Sequence, residues 1–283
     1  MLRIAIQSKG RLYEESMALL EEAGIKIPGG KRTLLVPARN FPVEVLFLRD
    51  DDIPESVASG VADVGIVGLN EVMEKRCPVG ILKKLGFGKC RLSLAIPQDI
   101  DYQDRNWFSG KKIATSYPGI LSDYLHKNGI VSDIHVITGS VEIAPGIRLA
   151  DAIFDIVSSG STLVSNRLKE VETVVESEAV LIGTDSISPE KRGILGELLF
   201  RFDSVQAADD KKYILMNVPQ KKLNDVLSVL PGIKSPTVMP LADKEWCSVH
   251  TVLDEKCFWE IINRLKTAGA EGILVLDIEK MIL

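Results

Sequence analysis

The segment DAIFDIVSSGST, residues 151–162, combines two acids with a run of small hydroxyl residues. Asp151 and Asp155 are four residues apart, and residues at that spacing share one face of a helix. We therefore expect a helical wall that presents both carboxylates to a ligand. Carboxylates in such a pair accept hydrogen bonds from hydroxyl groups, as in a sugar.

A serine loop follows the second aspartate. It consists of Ser158, Ser159, Gly160, Ser161 and Thr162. Its small side chains let backbone N–H groups turn towards an anion, and the run TLVSNRL predicts a helix whose N-terminus favours phosphate. A phosphate beside two carboxylates fits a pentose 5-phosphate, whose 2- and 3-hydroxyls would bind the acids. The alternative from pattern alone is an amphipathic helix that ends in a serine-rich cap with solvated aspartates.

Positive charge is concentrated in QSKGRL, after the first apolar run. Lys9 and Arg11 flank Gly10, which permits close approach of the backbone, so the loop could grip a polyphosphate. The alternative is an ordinary strand-to-helix turn with two solvated cations. Arg49 in RDDDIP marks another strand end. GVADVGIVG has Asp63 and two glycines around a short buried strand, where the glycines let a ligand or another backbone come close.

Other chemistries lack their motifs. The chain has no GxGxxG after the first strand, no GxxxxGK[ST] and no GxSxG, so a dinucleotide fold, a Walker loop and a nucleophile elbow are not indicated. The four cysteines form no CxxC pair, and the three histidines are isolated. The net charge of -5 argues against nucleic-acid binding. No signal peptide or long apolar run is evident, so we expect a cytoplasmic protein without a membrane partner.

Strand and helix patterns alternate through the first two thirds of the chain. The runs LRIAIQ, VEVLFLR, VGIVG, RLSLAIP and KKIATSY predict strands, and the helical patterns between them indicate parallel sheets covered on both faces. A second α/β set begins near Arg91, and AVLIG, residues 179–183, is expected to return to the first sheet. We predict a discontinuous first lobe, residues 1–90 plus 175–206, and a second lobe, residues 91–174, with a ligand cleft between them.

The last part of the chain has a different order of elements. From KYILMNVP to EGILVLDIEKMI the patterns run strand, helix, strand, strand, helix, strand. That order is the split βαβ arrangement of a ferredoxin-like domain, which we place at residues 209–283.

These motifs together resemble one family. SKGRL, RDDDIP, GVADVGIVG, CRLSLAIP, IATSYP, GSVEIAPG, DAIFDIVSSGSTLVSNRL and PTVMPL are similar to ATP phosphoribosyltransferases of the long form, which catalyse the first step of histidine biosynthesis. The resemblance spans the chain from Leu2 to its last strand. It implies a two-lobed, type II periplasmic-binding-protein-like catalytic core with a C-terminal ferredoxin-like regulatory domain of the ACT or PII kind.

The resemblance also implies a reaction and its ligands. N1 of ATP would attack C1 of phosphoribosyl pyrophosphate and expel pyrophosphate with inversion. Mg2+ would be bound to the pyrophosphate group. Histidine would inhibit through the C-terminal domain, and the chain would assemble as dimers and hexamers. No separate regulatory subunit would be needed.

Residue roles follow from the matched motifs. Asp151, Asp155 and the serine loop would bind phosphoribosyl pyrophosphate, and Glu142 would lie across the cleft near the ribose or the metal. The residues implied for the ATP side are Lys9, Gly10, Arg11, Arg49, Asp63, Arg91 and Tyr117. Lys9, Arg11 and Glu142 are the residues implied for catalysis. Ile233, Thr237 and Ala270 are implied for the effector pocket, in which the chain has Asn217 where another member can have an acid.

Two other classes of function are open to the residues alone. A non-catalytic two-lobed receptor for a small anion or amino acid uses the same lobe arrangement, although no export signal is evident. An effector-sensing module without activity would explain the last 70 residues or so, but not the serine loop.

Overall fold

The computed structural model describes residues 1–28, 33–231 and 236–282. They form two compact units, Met1–Leu198 and Leu199–Leu283. The first unit holds a six-stranded and a five-stranded sheet, which we call the first and second lobes, and the second unit holds a four-stranded sheet.

The first lobe is built on a mixed sheet of spatial order β2-β3-β1-β4-β11-β5. Its strands are β1 (Leu2–Gln7), β2 (Leu35–Pro37), β3 (Val43–Leu48), β4 (Val64–Gly68), β5 (Gly80–Lys84) and β11 (Ala179–Gly183). β1 is parallel to β3 and β4, whereas β2 and β11 are antiparallel to their neighbours. The prediction that AVLIG returns to the first sheet is confirmed by β11.

Three helices begin shortly after the carboxyl ends of parallel strands. They are α1 (Arg11–Glu22), α2 (Ile53–Ala58) and α3 (Leu69–Lys75). Ile53 and Val57 of α2 pack with Ala5, Val67 and Ile182 of the sheet, and all five side chains are buried. Burial of this apolar face fixes α2 on the sheet and leaves the preceding loop at the strand ends.

The second lobe has a sheet of order β10-β6-β9-β7-β8. Its strands are β6 (Cys90–Pro97), β7 (Lys112–Thr115), β8 (Asp133–Val136), β9 (Ala152–Val157) and β10 (Leu168–Ser177), with helices α4 (Pro118–Lys127) and α5 (Ser161–Ser165). Phe108 and Phe154 are fully buried at the centre of its core. The chain passes between the lobes twice, from β5 to β6 and from β10 to β11.

The prediction of parallel sheets is wrong for part of each lobe. β7, β8 and β9 are parallel, but β6 is antiparallel to both β9 and β10. The antiparallel strands flank the two crossings between lobes. A strand that arrives from the other lobe is not joined to its neighbour by a helical crossover, so its direction is not fixed as in a βαβ unit.

The prediction of a helix over Asp151 and Asp155 is also wrong, because the segment forms strand β9. Ala152, Ile153 and Phe154 are almost completely buried between β6 and β7. A strand buried on both faces reads as a continuous apolar run, so its residues carry no clear period. The two aspartates are therefore about 13 Å apart along an extended chain.

The second unit follows the order predicted for it. β12 (Lys211–Pro219), α7 (Leu223–Val229), β13 (Thr237–Pro240), β14 (Trp246–Asp254), α8 (Glu255–Ala268) and β15 (Glu271–Asp277) succeed one another. The antiparallel sheet has the order β13-β14-β12-β15, which confirms the ferredoxin-like prediction. Helix α6 (Pro189–Ala208) begins in the first unit and ends in the second. Within the described part of the chain, no helix is long and apolar enough to cross a membrane.

Candidate functional site

Polar loops lie at the carboxyl ends of parallel strands in both lobes. In the first lobe β1 leads to Lys9, β3 to Arg49 and β4 to Asn70. In the second lobe β7 leads to Tyr117 and β9 to the serine loop. Ligands of open α/β sheets bind at this edge, so each lobe presents one half of a candidate site.

The two edges face each other, because side chains join them directly. The Arg11 guanidinium donates to the Ser158 hydroxyl over 2.9 Å. The Tyr117 hydroxyl donates to Oε1 of Glu71 over 2.9 Å. The cleft predicted between the lobes thus has the Lys9–Arg11 loop on one side and the serine loop on the other.

The serine loop turns sharply before α5. Gly160 has a φ of 80°, which is left-handed and suits a residue without a Cβ. The hydroxyls of Ser159 and Ser161 are 3.0 Å apart. All residues of the loop are exposed except Gly160, which is half-buried. The Ser161 N–H at the start of α5 donates to the Ser159 hydroxyl over 3.4 Å, and the Val164 N–H donates to the Gly160 carbonyl over 3.2 Å, so the loop and the first turn of α5 hold each other in place.

Arg91 anchors this loop from β6. Its guanidinium donates to the Ser158 carbonyl over 3.1 Å and to both carboxylate oxygens of Glu170. The bonds from Arg91 to Glu170 lower the pKa of that carboxyl to about 2. Burial opposes this shift, and a hydrogen bond from the Ser93 hydroxyl adds to it. The guanidinium therefore positions the loop backbone, whereas the resemblance implied a contact with ATP.

Asp155 is the acid at the cleft edge of β9. Burial raises its pKa to about 6, although a hydrogen bond from the Ile156 N–H opposes the rise and the Glu142 carboxylate adds to it. Glu142 lies on a short 3-10 turn, residues 141–143, and Val141 of that turn packs with Ile153 of β9. The two carboxylates that lie near each other beside the serine loop are thus Asp155 and Glu142, and not the predicted pair of Asp151 and Asp155.

Asp151 lies at the opposite edge of the second sheet. It precedes β9, and its carboxylate accepts the backbone N–H of Lys112 at the start of β7 over 2.8 Å. The side chain also lines a surface pocket with Trp107 and Arg148. The pairing of Asp151 with Asp155 on one wall is therefore corrected: only Asp155 lies at the cleft edge.

Asp63 is likewise far from the other residues implied for ATP. It comes before β4, where it accepts the Arg3 N–H and forms a bidentate ion pair with Lys191 at 2.8 and 2.9 Å. Arg3 is at the start of β1, and Lys9 follows the end of that strand. Six residues of extended chain span about 20 Å, so Asp63 belongs to the amino edge of the sheet.

The remaining implied residues differ in exposure. Lys9 and Gly10 are exposed at the cleft edge, and Gly10 has a left-handed φ of 92°. Arg49 is exposed and pairs with Asp51 at 3.1 Å. Tyr117 is buried, with 8% of its surface accessible, and its hydroxyl is engaged by Glu71 and Asn70.

Sequence reasoning missed the acids of α3. Glu71 is buried against Tyr117, and Glu74 accepts the N–H groups of Gly119 and Ile120 over 2.8 and 2.9 Å. The position of α3 after a buried strand could have indicated polar residues at the cleft edge. Nothing in the sequence indicated their partners in the other lobe.

The effector candidates belong to the second unit. Thr237 is exposed on β13, opposite His250 of β14. Ala270 is buried in the core of that unit, before β15. Ile233 lies outside the described residues.

A two-lobed α/β core with cations on one edge, and with a serine loop and a carboxylate on the other, is the arrangement expected of a protein that binds anionic ligands between its lobes. Comparison with known proteins identifies it further. The family model described as ATP phosphoribosyltransferase matches residues 49–204, and that of the HisG C-terminal domain matches residues 208–280. The chain belongs to the ATP phosphoribosyltransferase family.

Close relatives extend the match to the whole chain. It is 71% identical over 283 residues to an ATP phosphoribosyltransferase of Phocaeicola vulgatus, with 100% of both chains covered. It is 70% identical over 283 residues to that of Bacteroides fragilis, again with 100% coverage of both. Among solved structures, a chain of the HisG:HisZ ATP phosphoribosyl transferase complex from Thermotoga maritima aligns with a TM-score of 0.61 and 27% identity, covering 71% of this chain and 98% of that one.

The predicted family, fold class and activity are thereby confirmed. The protein is an enzyme, a pentosyltransferase that transfers the phosphoribosyl group of phosphoribosyl pyrophosphate to N1 of ATP, the first step of histidine biosynthesis. The alternative of a non-catalytic receptor is not favoured.

Proposed function

We propose that the second lobe binds phosphoribosyl pyrophosphate and that the first lobe supplies the ATP side. The serine loop would hold the 5-phosphate, and Asp155 would accept hydrogen bonds from the ribose hydroxyls. Lys9, Gly10, Arg11 and Arg49 would line the ATP side. The observation that carries this proposal is the 2.9 Å hydrogen bond from Arg11 to Ser158, which sets the cationic loop against the serine loop.

The reaction asks mainly for alignment and for stabilisation of charge. As pyrophosphate leaves C1, the ribose would gain oxocarbenium character, and the negative charge of Asp155 and Glu142 would face it. Lys9 and Arg11 would provide positive charge for the polyphosphate of ATP and so help to align its N1 with C1. Holding two reactants at about 3–3.5 Å can lower the barrier by about 7–11 kcal/mol, so a two-lobed cleft suits a reaction that needs no protein nucleophile.

The family implies Mg2+, which we propose arrives on the pyrophosphate of the substrate. Among the described residues, no group of three or more His, Cys, Asp or Glu side chains could hold a metal ion by itself. Mg2+ usually keeps several waters and binds through phosphates and one or two carboxylates, and Glu142 and Asp155 fit that limited donor set. The ion would neutralise charge on the leaving pyrophosphate.

A pair of aspartate variants tests the assignment of the ribose site. Asp155→Ala should lower turnover more than tenfold, because a hydroxyl acceptor at the cleft edge is lost. Asp151→Ala, at the opposite edge of the same sheet, should keep turnover within about twofold. Pyrophosphate release is measured with both substrates present and with each alone. Equal losses in both variants, or wild-type turnover in Asp155→Ala, would contradict the assignment.

We propose further that residues 209–283 bind histidine and favour an inactive state, with Thr237 on β13 in the effector pocket. The support is the match of this module to the HisG C-terminal domain and its exposed β13 face. Calorimetric titration of histidine into the full chain should show binding that Thr237→Trp weakens. Transferase rates that histidine leaves unchanged would contradict this regulation.

Assembly into dimers and hexamers is also a proposal drawn from the family. Light scattering coupled to size exclusion should give masses that are two or six times that of the 31.1 kDa chain. A mass of a single chain at micromolar concentration would argue against it. The cytoplasmic location stays a prediction.

A further inference from the structure

A buried polar cluster lies where the two lobes meet. We call Asn70, Glu71, Tyr117 and Ser177 the junction cluster. Their accessible fractions are 4%, 6%, 8% and 5%, so all four are withdrawn from water. Asn70 and Glu71 begin α3 of the first lobe, Tyr117 precedes α4 of the second, and Ser177 ends β10 next to a crossing between the lobes.

Hydrogen bonds connect all four side chains. Oε1 of Glu71 accepts from the Tyr117 hydroxyl over 2.9 Å and from Nδ2 of Asn70 over 3.0 Å. The Ser177 hydroxyl donates to Oδ1 of Asn70 over 2.8 Å and accepts the Asn70 N–H over 3.1 Å. A buried polar network with these partners in place favours a single arrangement, because any slip leaves a polar group unpaired.

The cluster reaches the proposed ribose site through Tyr117. Burial raises the pKa of the Tyr117 hydroxyl, and the carboxylates of Glu71 and Asp155 raise it further. The hydroxyl therefore stays protonated and keeps its donor bond to Glu71. The Thr115 hydroxyl accepts the Tyr117 N–H over 2.8 Å, so the backbone at the end of β7 is fixed as well.

A second contact outside the cluster holds the same two helices together. Glu74 of α3 accepts the N–H groups of Gly119 and Ile120 in the first turn of α4. A Cβ at Gly119 would come within 3.0 and 3.2 Å of the two Glu74 oxygens, so a side chain there would displace the Glu74 carboxylate by a few tenths of an ångström. Glu71 and Glu74 thus bring one face of α3 against the start of α4.

We propose that Glu71 is a positioning residue for the transferase reaction. Its carboxylate holds the Tyr117 hydroxyl of the second lobe, and so it holds the end of β7 beside Asp155 at a fixed separation from the loops of the first lobe. The inference rests on the proposed function, in which these two edges bind the two substrates. A misplacement of about 1 Å in such a site can lower the rate on the order of a hundredfold. The Glu71 carboxylate can therefore affect the rate without touching a substrate.

Steady-state kinetics of four variants test the proposal. Glu71→Ala and Tyr117→Phe should each lower kcat/KM for phosphoribosyl pyrophosphate by about tenfold or more, because each removes one end of the same hydrogen bond. Glu71→Gln should restore most of the activity, since an amide oxygen accepts the same two donors. The double variant Glu71→Ala with Tyr117→Phe should be no worse than the poorer single variant, because both act through one contact.

Tyr102→Phe is the matched control. The Tyr102 hydroxyl donates to Glu172 over 2.7 Å in the second lobe, so the same kind of tyrosine-to-glutamate bond is lost away from the cleft edge. It should keep kcat/KM within about twofold. Circular dichroism at the assay temperature checks that each variant is folded, and if Glu71→Ala does not fold, Tyr117→Phe and Glu71→Gln carry the test.

Three results would overturn the proposal: wild-type kinetics in Tyr117→Phe, additive losses in the double variant, or a folded Glu71→Gln as poor as Glu71→Ala. The last would mean that the charge, and not the acceptor, is required. Failure of the proposed function is recognised separately, because it would appear as unchanged turnover in Asp155→Ala whatever the Glu71 variants do.

Discussion

The Arg11 guanidinium of the first lobe donates a 2.9 Å hydrogen bond to the Ser158 hydroxyl of the second. Both side chains are exposed, so water competes with this bond and its own contribution to stability is small. The bond is informative because it shows how close the Lys9–Arg11 loop lies to the serine loop. The loop that would meet ATP and the loop that would hold the 5-phosphate are one side chain apart.

Replacing Arg11 should therefore impair catalysis more than folding. We expect Arg11→Ala to lower kcat/KM by more than tenfold, because a cation would be lost from the ATP side of the cleft. Ser158→Ala should cost only a few fold, since the backbone of the loop remains. Arg105→Ala removes an exposed arginine that donates to Asn128 and should leave the pyrophosphate release rate unchanged. A smaller effect in Arg11→Ala than in Ser158→Ala would count against the role of the cation.

The turn at Gly160 should not tolerate a side chain. Its φ of 80° is left-handed, so Gly160→Val should cost about 1–2 kcal/mol in strain and displace the N–H groups of the serine loop. We expect the KM for phosphoribosyl pyrophosphate to rise more than tenfold. Gly110→Val places the same change at a φ of 71° with nothing within 4 Å, so its cost should be in stability alone. Equal kinetics in the two variants would contradict a phosphate-binding turn.

The bidentate pair between Arg91 and Glu170 should control the serine loop. Arg91→Lys keeps the charge but loses the fork that reaches both Glu170 and the Ser158 carbonyl. We expect a several-fold increase in the KM for phosphoribosyl pyrophosphate with little change in kcat. Arg3→Lys disrupts a similar pair with Glu44 at the other edge of the first lobe and is the control. If the KM values of both variants match the wild type, Arg91 does not act on the loop.

Asp155 should make stability fall as the pH rises. Its pKa is about 6 in the folded protein against an ordinary value of 3.8 for an aspartate, so the folded state holds the proton to a higher pH than the unfolded chain. The stabilisation that this proton gives the folded state is fully present below about pH 4 and is lost as the pH rises through about 6. Relative to Asp155→Asn, the free energy of unfolding in urea should decrease by up to about 3 kcal/mol across that window, at about 1.4 kcal/mol per pKa unit.

The same comparison provides its own check. Above about pH 7 the difference between the two proteins should be level, since Asp155 is ionised in both the folded and the unfolded states. If the wild type instead loses stability relative to Asp155→Asn as the pH is lowered from 6 to 4, the folded state stabilises the ionised form of Asp155. Binding of phosphoribosyl pyrophosphate should weaken below about pH 6, because a protonated carboxyl accepts fewer hydrogen bonds.

Local sequence identified the serine loop and the Lys9–Arg11 loop because their chemistry depends on neighbouring residues. Small side chains around Gly160, and cations around Gly10, predict anion-binding turns whatever the rest of the chain does. The strand and helix order of residues 209–283 was likewise readable, since β12 alternates between buried and less buried residues and therefore keeps a clear period.

The position of each acid was decided by tertiary structure. Asp151 and Asp155 have helical spacing, yet burial between β6 and β7 makes the segment a strand and sends the two side chains to opposite edges of the sheet. Asp63 precedes a strand rather than following it, so its carboxylate pairs with Lys191 at the far edge.

What the sequence determined by itself was the chemistry of each loop and the family to which the chain belongs. Only the tertiary structure decided which loops meet. The bonds from Arg11 to Ser158 and from Tyr117 to Glu71 join residues 147 and 46 positions apart, because two crossings of the chain set the strand ends of one lobe against those of the other. No local pattern encodes such a contact, since it depends on the packing of both sheets at once.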